Sequence, residues 1–135
     1  MPSPRRTVLD SYAVLSFLFG ERGSQQVLQL FDWAIDNCQQ HLITSVNWAE
    51  VRYVVERKSG SASWPRVKER LLNLPLSVIP VDRELAELAG SFKRGGGMAL
   101  ADCFAAALAK QQGLPLCTGD REYRRVERAV KILWL

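Results

Sequence analysis

The sequence predicts an α/β protein with a mostly parallel central sheet of four to five strands flanked by helices. Short β-prone runs alternate with segments whose apolar residues follow helical spacing. Parallel neighbours need crossover connections, which helices usually supply. The chain has 135 residues, 47% of them hydrophobic, which is enough for one compact core and too few for two ordinary domains. We therefore expect a single domain over residues 1–135, with residues 1–4 disordered.

Glycine, proline and asparagine mark the ends of the elements in the first half of the chain. Gly20 and Gly23 separate the first two helices, and Ser59 with Gly60 ends the third. Pro65 stands in the first turn of the fourth helix, where proline is tolerated. The predicted elements, in chain order, are strand 7–9, helix 11–19, helix 24–37, strand 41–44, helix 45–58 and helix 63–73.

The second half of the chain repeats the alternation. Asp82 is a suitable N-cap for an amphipathic helix that stops at three consecutive glycines, which we expect to form a mobile hinge. Gly113 ends the next, strongly apolar helix. The predicted elements are strand 76–81, helix 83–93, glycine loop 95–97, helix 99–112, strand 114–118, turn 119–120 and strand 130–135.

Composition narrows the class of protein. The formal charge of +4 and the pI of about 9.2 favour an anionic partner such as nucleic acid, although solvated surface charge gives the same total. Cys38, Cys103 and Cys117 are widely spaced and contain no C-x-x-C pair, which is typical of reduced cysteines. We expect no signal peptide, because Asp10 interrupts the apolar run that follows the basic N-terminus, and no apolar run reaches the roughly 20 residues of a membrane span. We expect a soluble, cytoplasmic protein.

Four carboxylates occupy positions where a parallel sheet places ligand sites, beyond the carboxyl ends of its strands. Asp10 follows the first strand and Asp120 follows the strand 114–118. Glu50 lies near the start of the helix after the second strand, and Asp102 lies in the first turn of the helix before the Asp120 strand. We expect all four to meet at one edge of the sheet.

Each acid also has an ordinary structural explanation. Asp10 is a possible N-cap, Asp120 a turn residue after glycine, and Glu50 an ion-paired glutamate beside an apolar face. Asp102 is the most informative of the four. It is the single polar residue between positions 98 and 109, and a helix that is apolar on all sides is buried. A buried carboxylate needs a cation, a metal or several donors, or it serves its own helix N-terminus.

A cluster of carboxylates implies a bound cation, since the acids repel one another and raise one another's pKa. The ligands are oxygens, and His41 is the single histidine. Mg²⁺ or Mn²⁺ therefore fits better than Zn²⁺. Such an ion lowers the pKa of a bound water and stabilises a leaving oxygen, which describes in-line hydrolysis of a phosphodiester by water.

Four segments resemble the PIN-domain ribonucleases, and among them the VapC-type toxins of VapBC toxin–antitoxin pairs. The segments are 8–11 (VLDS), 45–51 (SVNWAEV), 99–109 (ALADCFAAALA) and 118–123 (TGDREY). The resemblance runs from about residue 7 to residue 135. Each segment is weak alone, but their order is specific. The sequence departs from the commoner pattern at Ala99, where a hydroxyl residue is frequent, and at Tyr123, where phenylalanine is usual. Neither change replaces a carboxylate, so we expect activity to be retained.

The resemblance implies an endoribonuclease dependent on Mg²⁺ or Mn²⁺. Its direct metal ligands would be Asp10 and Asp102, and Glu50 and Asp120 would complete the site directly or through water. It further implies supporting roles for Ser11 and Thr118. It also implies an RNA substrate, a VapB-type antitoxin that blocks the site, and a homodimer that can enter a larger toxin–antitoxin assembly.

Basic and aromatic residues give weaker signals. Several cations are candidates for phosphate contacts or are simply solvated. These are Arg5, Arg6, Lys93, Arg94, Arg121, Arg124 and Arg125. The four tryptophans, Trp33, Trp48, Trp64 and Trp134, fit core or interface positions better than base-stacking platforms.

Other functions compete with the nuclease. An aspartate-nucleophile phosphatase would need a second aspartate two residues after Asp10, where Tyr12 stands. A phosphate-accepting receiver domain would need an acidic pair near residue 10 and a late lysine. The stronger rival is a catalytically inactive PIN module that binds RNA or protein, and the presence of all four acids argues against it.

Overall fold

A five-stranded, wholly parallel sheet forms the centre of the computed structural model, which describes residues 5–135. The predicted disorder of residues 1–4 lies outside the described residues. Every pair of neighbouring strands is parallel, in the order β3-β2-β1-β4-β5, which confirms the predicted α/β class. The strands are β1 Val8–Leu9, β2 His41–Thr44, β3 Leu76–Ile79, β4 Leu116–Thr118 and β5 Ile132–Trp134.

Helices make the crossovers between the parallel strands, as predicted. They are α1 Ser11–Phe19, α2 Ser24–Asp36, α3 Ser45–Ser59, α4 Trp64–Leu72, α5 Arg83–Arg94 and α6 Leu100–Gln112. Two 3₁₀ helices, Ser61–Ser63 and Arg121–Val126, add to these. The second of them follows β4, and the sequence prediction had only a turn there. Its residues lack the apolar periodicity of a longer helix, so their arrangement depends on neighbouring elements.

Strand β2 has the predicted bounds, and the other four predicted strands are longer than the observed ones. The strand predicted from residue 114 begins at Leu116, because the Leu114 N–H donates to the Ala109 carbonyl oxygen and so extends the end of α6. Pro115 has no N–H to give to a neighbouring strand. Its carbonyl oxygen accepts from the Val8 N–H at 2.9 Å, and this bond begins the pairing of β1 with β4.

The short central strand β1 is covered on both faces, as parallel strands usually are. Val8 and Leu9 are both fully buried, and they point into different cores. Val8 packs with residues of α5 and α6, including Ala89 and Leu108. Leu9 packs with residues of α1 to α4, including Phe31. The sheet therefore lies between two helical layers, and its two hydrophobic cores hold β1 in place.

Capping residues directly after two strands begin the next helices at the same edge of the sheet. Asp10 caps α1 immediately after β1, accepting from the Ala13 N–H, and Thr44 caps α3 at the end of β2, accepting from the Asn47 N–H. In each case the chain changes from an extended to a helical backbone within one residue. This edge, where the strands end, is therefore lined by helix N-termini and polar side chains.

The buried His41 belongs to the opposite edge, at the start of β2. Its Nδ1 contacts the Thr7 N–H at 3.1 Å, and its Nε2 contacts the Leu30 carbonyl oxygen at 2.8 Å. Burial lowers the pKa of its imidazole. Both ring nitrogens are occupied by backbone partners, so His41 is a structural residue and takes no part in the acidic cluster.

The tryptophans occupy packed positions, as the sequence indicated. Trp64 is buried and meets Trp48 edge to face, with ring centroids 5.5 Å apart. Trp33 and Trp134 are partly buried. Among the described residues, 5–135, the helices are all too short or too polar to cross a bilayer.

Replacement of Leu108 by alanine is expected to destabilise the fold strongly. Leu108 is fully buried between α6 and the sheet, so Leu108→Ala should lower the free energy of unfolding by about 2–5 kcal/mol through lost burial and a residual cavity. Leu72→Ala is the matched control, since Leu72 is 57% exposed, and it should change stability by less than about 1 kcal/mol. Urea titration followed by circular dichroism measures both. Equal destabilisation by the two variants would contradict the described packing.

Candidate active site

Asp10 is the most buried acid at the carboxyl edge of the sheet, with 1% of its surface exposed. One carboxylate oxygen, Oδ1, accepts from the Ala13 N–H at 2.9 Å, and the other accepts from the Thr118 hydroxyl at 2.6 Å. The capping explanation for Asp10 is therefore correct, and its second oxygen is held by β4. Burial is the main cause that raises the pKa of Asp10 to about 7, although both hydrogen bonds oppose it.

Asp102 does not cap its helix. Ala99 is the N-cap of α6 and makes no side-chain capping bond, while the Asp102 Oδ1 accepts from the Tyr123 hydroxyl at 3.1 Å. The tyrosine at position 123 leaves all four acids in place and adds a hydrogen-bond donor to one of them. Asp102 is only partly buried, because the first turn of α6 reaches the surface and Leu100 is 54% exposed. The apolar segment is thus not buried along its whole length, although Met98, Cys103 and residues 105–109 are buried.

The environment of Asp102 disfavours its charged form. Burial raises the pKa of Asp102 to about 6, with further contributions from the negative charges of Asp120, Glu50 and Glu122. The Tyr123 hydroxyl bond acts in the opposite direction. The three acids therefore lie within electrostatic reach of Asp102, which brings residues from α3, α6 and the 3₁₀ helix to one place.

Glu50 lies in the second turn of α3 and leans toward α1. Its Oε1 accepts from the Ser11 hydroxyl at 2.9 Å and from the Asn47 side-chain amide at 3.2 Å. The same amide nitrogen lies 3.2 Å from the Ala101 carbonyl oxygen, directly before Asp102. Asn47 therefore joins Glu50 to the start of α6. The ion pair that was the alternative explanation for Glu50 does not occur within residues 5–135.

Asp120 caps the 3₁₀ helix that follows β4. Its Oδ1 accepts from the Glu122 N–H at 3.0 Å, so its interpretation as a turn residue is correct. Its own N–H donates to the Thr118 hydroxyl oxygen at 3.0 Å, and that hydroxyl donates to Asp10. Thr118 thus links Asp10 to the backbone of Asp120.

The negative charge at this edge has no basic partner in the described part of the chain. The ion pairs there are Arg52–Glu56 and Lys58–Glu21, and neither contains a site acid. The charge of Asp102 contributes to the raised pKa of Asp10, so the two acids oppose each other's ionisation. A bound cation would offset both the cost of burying these negative charges and the repulsion between them.

The donor set fits a hard divalent cation. All four predicted acids offer carboxylate oxygens, which Mg²⁺ and Mn²⁺ prefer. Each carboxylate is turned toward a hydrogen-bond donor of the protein. Across residues 5–135, no three acidic, histidine or cysteine side chains stand close enough together to enclose an ion. The site therefore supplies the ligand chemistry without a closed cage.

Three residues of this edge were missed as site residues by sequence reasoning, although the resembling segments contain them. Asn47 stands one turn before Glu50, and Glu122 adds a fifth negative charge near Asp102. Tyr123 is completely buried, and a buried tyrosine usually needs a partner for its hydroxyl. That requirement was the available signal, but the sequence does not say which acid receives the bond.

Two of the basic residues considered for phosphate contacts support the glycine loop. The Lys93 ammonium donates to the Met98 carbonyl oxygen at 2.6 Å, across the loop 95–97. The Arg125 guanidinium lies so close to Gly97 that an added Cβ would be 2.3 Å from it, and Gly97 has a φ of +82°. Arg6 donates to the Gln40 carbonyl oxygen at the amino edge of the sheet, away from the acids.

The PIN domain family model matches residues 7–129. The chain belongs to the PIN domain family. PIN domains are generally nucleases and generally depend on divalent metal ions, in agreement with the carboxylate cluster. No curated protein sequence matches the chain.

Solved structures share this PIN fold over nearly the whole chain. A toxin–antitoxin complex from Klebsiella pneumoniae has a TM-score of 0.71 at 18% identity, covering 96% of this chain and 99% of that one. A DNA-bound VapBC from Salmonella typhimurium has 0.73 at 19%, covering 95% and 96%. VapBC2 from Rickettsia felis, bound to a promoter DNA fragment, has 0.72 at 15%, covering 94% and 97%. At these identities the likeness describes the fold.

Removal of the Asp10 charge is expected to stabilise the metal-free protein at neutral and alkaline pH. The unfolded carboxyl ionises near its ordinary pKa of 3.8 and the folded one near 7, so this group's stabilising contribution falls as the pH rises between those values. Asp10→Asn should therefore gain up to roughly 4 kcal/mol over wild type at pH 8 and little at pH 4. Urea unfolding in EDTA measures this, with the exposed Asp32→Asn as control. A difference in stability between variant and wild type that is the same at pH 4 and pH 8 would contradict the described burial.

Tyr123→Phe is expected to raise the pKa of Asp102 further above its ordinary value. The hydroxyl stabilises the charged carboxylate, and phenylalanine keeps the buried ring while removing that bond. Carboxyl ¹³C NMR titration of Asp102 in the metal-free protein would follow the change. Tyr53→Phe, at a tyrosine 60% exposed, is the matched control and should leave the titration unchanged. An unaltered or lower pKa in Tyr123→Phe would contradict the assigned hydrogen bond.

Proposed function

We propose that the protein is a metal-dependent endoribonuclease and the toxin of a type II toxin–antitoxin module. The observation that carries this proposal is the meeting of four acids from separate elements at one sheet edge, with no basic partner among residues 5–135. A site that only stabilised the fold would pair such buried charges internally. A site that binds a divalent cation benefits from leaving them unpaired.

Asp10 and Asp102 are the proposed direct metal ligands. Both have a pKa raised mainly by burial, so binding of a cation would favour their charged forms. Glu50 and Asp120 would complete the site, directly or through water. Ser11 and Thr118 would support it, since their hydroxyls donate to Glu50 and to Asp10.

A divalent ion in this site would supply positive charge beside a phosphate and lower the pKa of water there. The protein's part is to hold the acids in place before the ion arrives. The Thr118 bond to Asp10 and the Ser11 bond to Glu50 each join side chains from different parts of the chain. This preorganisation suits hydrolysis of a phosphodiester, in which water attacks in line with the leaving oxygen.

RNA is the proposed substrate, in keeping with the formal charge of +4 and with arginines next to the acids. The toxin assignment is supported by fold likeness to a toxin–antitoxin complex and to VapBC complexes. We therefore propose a VapB-type antitoxin as partner, a homodimer that can enter a larger toxin–antitoxin assembly, and action in the cytoplasm. The proposed unit is a single PIN-like domain.

A catalytically inactive PIN module that binds RNA or protein is the alternative. It would share the fold and the positive charge, but it would have no use for buried, unpaired carboxylates that cost stability in the absence of metal. Cleavage measurements separate the two functions.

Purified protein is expected to cut structured RNAs at discrete sites in Mg²⁺ or Mn²⁺ and to lose this activity in EDTA. Asp10→Asn should lower the cleavage rate by roughly a hundredfold or more, because even partners outside the ligand shell change activity by about 10- to 100-fold. Asp32→Asn, an exposed aspartate on α2, is the matched control and should cut like wild type. Gel analysis of labelled RNAs gives the rates.

The contrary outcomes differ in meaning. Equal cleavage by Asp10→Asn and wild type would show a contaminating nuclease, and absence of cleavage on any RNA would favour the binding module. A short reading frame next to the gene, whose product inhibits cleavage, would support the toxin assignment in particular.

A further inference from the structure

A small pocket rich in arginine opens beside the acids, at the same carboxyl edge of the sheet. Its volume is about 230 Å³. Residues that follow β1 and β4 meet there with the end of β5 and with the turn between α1 and α2. The lining residues are Tyr12, Arg22, Gly119, Arg121, Arg124, Trp134 and Leu135. We call this the arginine pocket.

Among the described residues, the arginine pocket is lined by three arginines and by no aspartate or glutamate. Arg22, Arg121 and Arg124 come from two separate parts of the chain. None of the three forms an ion pair within the part of the chain that the structure describes. Arginine presents a planar set of donors that matches the oxygens of a phosphate. Three unpaired guanidinium groups around one small pocket therefore indicate an anionic ligand.

Tyr12 gives the pocket an aromatic wall that is fixed in place. A Cβ added to Gly119 would lie 2.3 Å from the Tyr12 ring, so the ring rests directly on the backbone there. Tyr12 is nevertheless 39% exposed, which leaves part of the ring open to a ligand. Trp134 contributes a second, partly buried aromatic side chain. Aromatic rings next to a basic groove are the usual surface for an unpaired base.

The pocket and the acids are joined through the chain itself. Tyr12 lies two residues after Asp10, and Gly119 and Arg121 flank Asp120. A polymer with a phosphate at the acids would therefore place its neighbouring nucleotide at the pocket. An acidic peptide would satisfy the arginines but would have no use for the aromatic wall, so the lining favours a nucleotide.

We propose that the arginine pocket binds the phosphate and base of one unpaired nucleotide of the RNA, next to the phosphate at the acids. This inference rests on the proposed nuclease function and specifies how that site holds its substrate. The arginines would hold the phosphate, and Tyr12 would stack on the base. A base in a duplex has its faces covered by its neighbours, so the pocket selects single-stranded or looped RNA.

Binding of a short fluorescein-labelled oligouridylate in EDTA tests the pocket without cleavage. Arg22→Gln, Arg121→Gln and Arg124→Gln should each weaken binding by roughly tenfold, because each removes a charge-assisted bond to phosphate. A plot of the logarithm of the binding constant against the logarithm of the salt concentration has a negative slope. In the triple variant this slope should be less steep by roughly 0.7, as for one lost phosphate contact on a single strand. Arg66→Gln, at an exposed arginine of α4 outside the pocket, is the matched control for net charge.

Tyr12→Ala tests the base. It should weaken binding of the oligouridylate by roughly tenfold and leave binding of an abasic oligomer of the same length unchanged, because the abasic strand has nothing to stack. Tyr12→Phe should bind like wild type. Thermal unfolding of each variant verifies that the exposed substitutions leave the fold intact.

Several results would overturn the inference. If the arginine variants bind RNA as tightly as Arg66→Gln does, the proposed phosphate contact is contradicted. If Tyr12→Ala weakens binding of abasic and normal strands equally, the proposed base contact is contradicted. If the arginine variants bind poly-glutamate more weakly than wild type but bind RNA equally well, the pocket is a site for an acidic peptide instead.

Failure of the pocket and failure of the nuclease are distinguishable. Metal-dependent cleavage with normal RNA binding in the arginine variants would overturn the pocket alone. Loss of RNA binding in those variants, with no cleavage of any RNA by wild type, would support the pocket while contradicting the nuclease.

Discussion

Burial of negative charge without a basic partner among residues 5–135 is the constraint on which this structure depends. Asp10 is almost completely enclosed, and its pKa is raised to about 7 even though the Ala13 N–H and the Thr118 hydroxyl both stabilise its charged form. An unpaired buried carboxylate is among the more costly features a small fold can carry. Two hydrophobic cores, one on each side of β1, hold the strand that precedes Asp10. Their packing stabilises the fold and so offsets this cost.

Hydrogen bonds between elements convert that unfavourable charge into an ordered site. Tyr123, Ser11 and Thr118 donate to Asp102, Glu50 and Asp10 respectively. Each bond connects side chains or elements that the sequence separates, and each fixes an acid that would otherwise turn toward water. The donors lower the electrostatic cost but leave net negative charge, which is the condition in which a divalent cation binds with the greatest effect.

Opposite charges lie next to each other at the carboxyl edge of the sheet. The acids gather where β1 and β4 end, and the arginine pocket, which Tyr12 and Gly119 help to line, lies beside them. A bound polyanion would meet the arginines directly and the acids only through a cation. Under the proposed function, this arrangement would let the edge bind a nucleic-acid strand while keeping a strongly acidic centre.

The sequence by itself determined the class of fold, most helix boundaries and the four acids, because periodicity, caps and glycines act over a few residues. Asp10 was readable as a cap from its place between strand and helix. The sequence did not predict the contact of Tyr123 with Asp102, the 3₁₀ helix after β4 or the position of Arg22. They depend on partners far along the chain, as in the bond between Thr118 and Asp10, 108 residues apart. Only packing of the two layers on the sheet brings such residues together, since local preferences carry no information about distant neighbours.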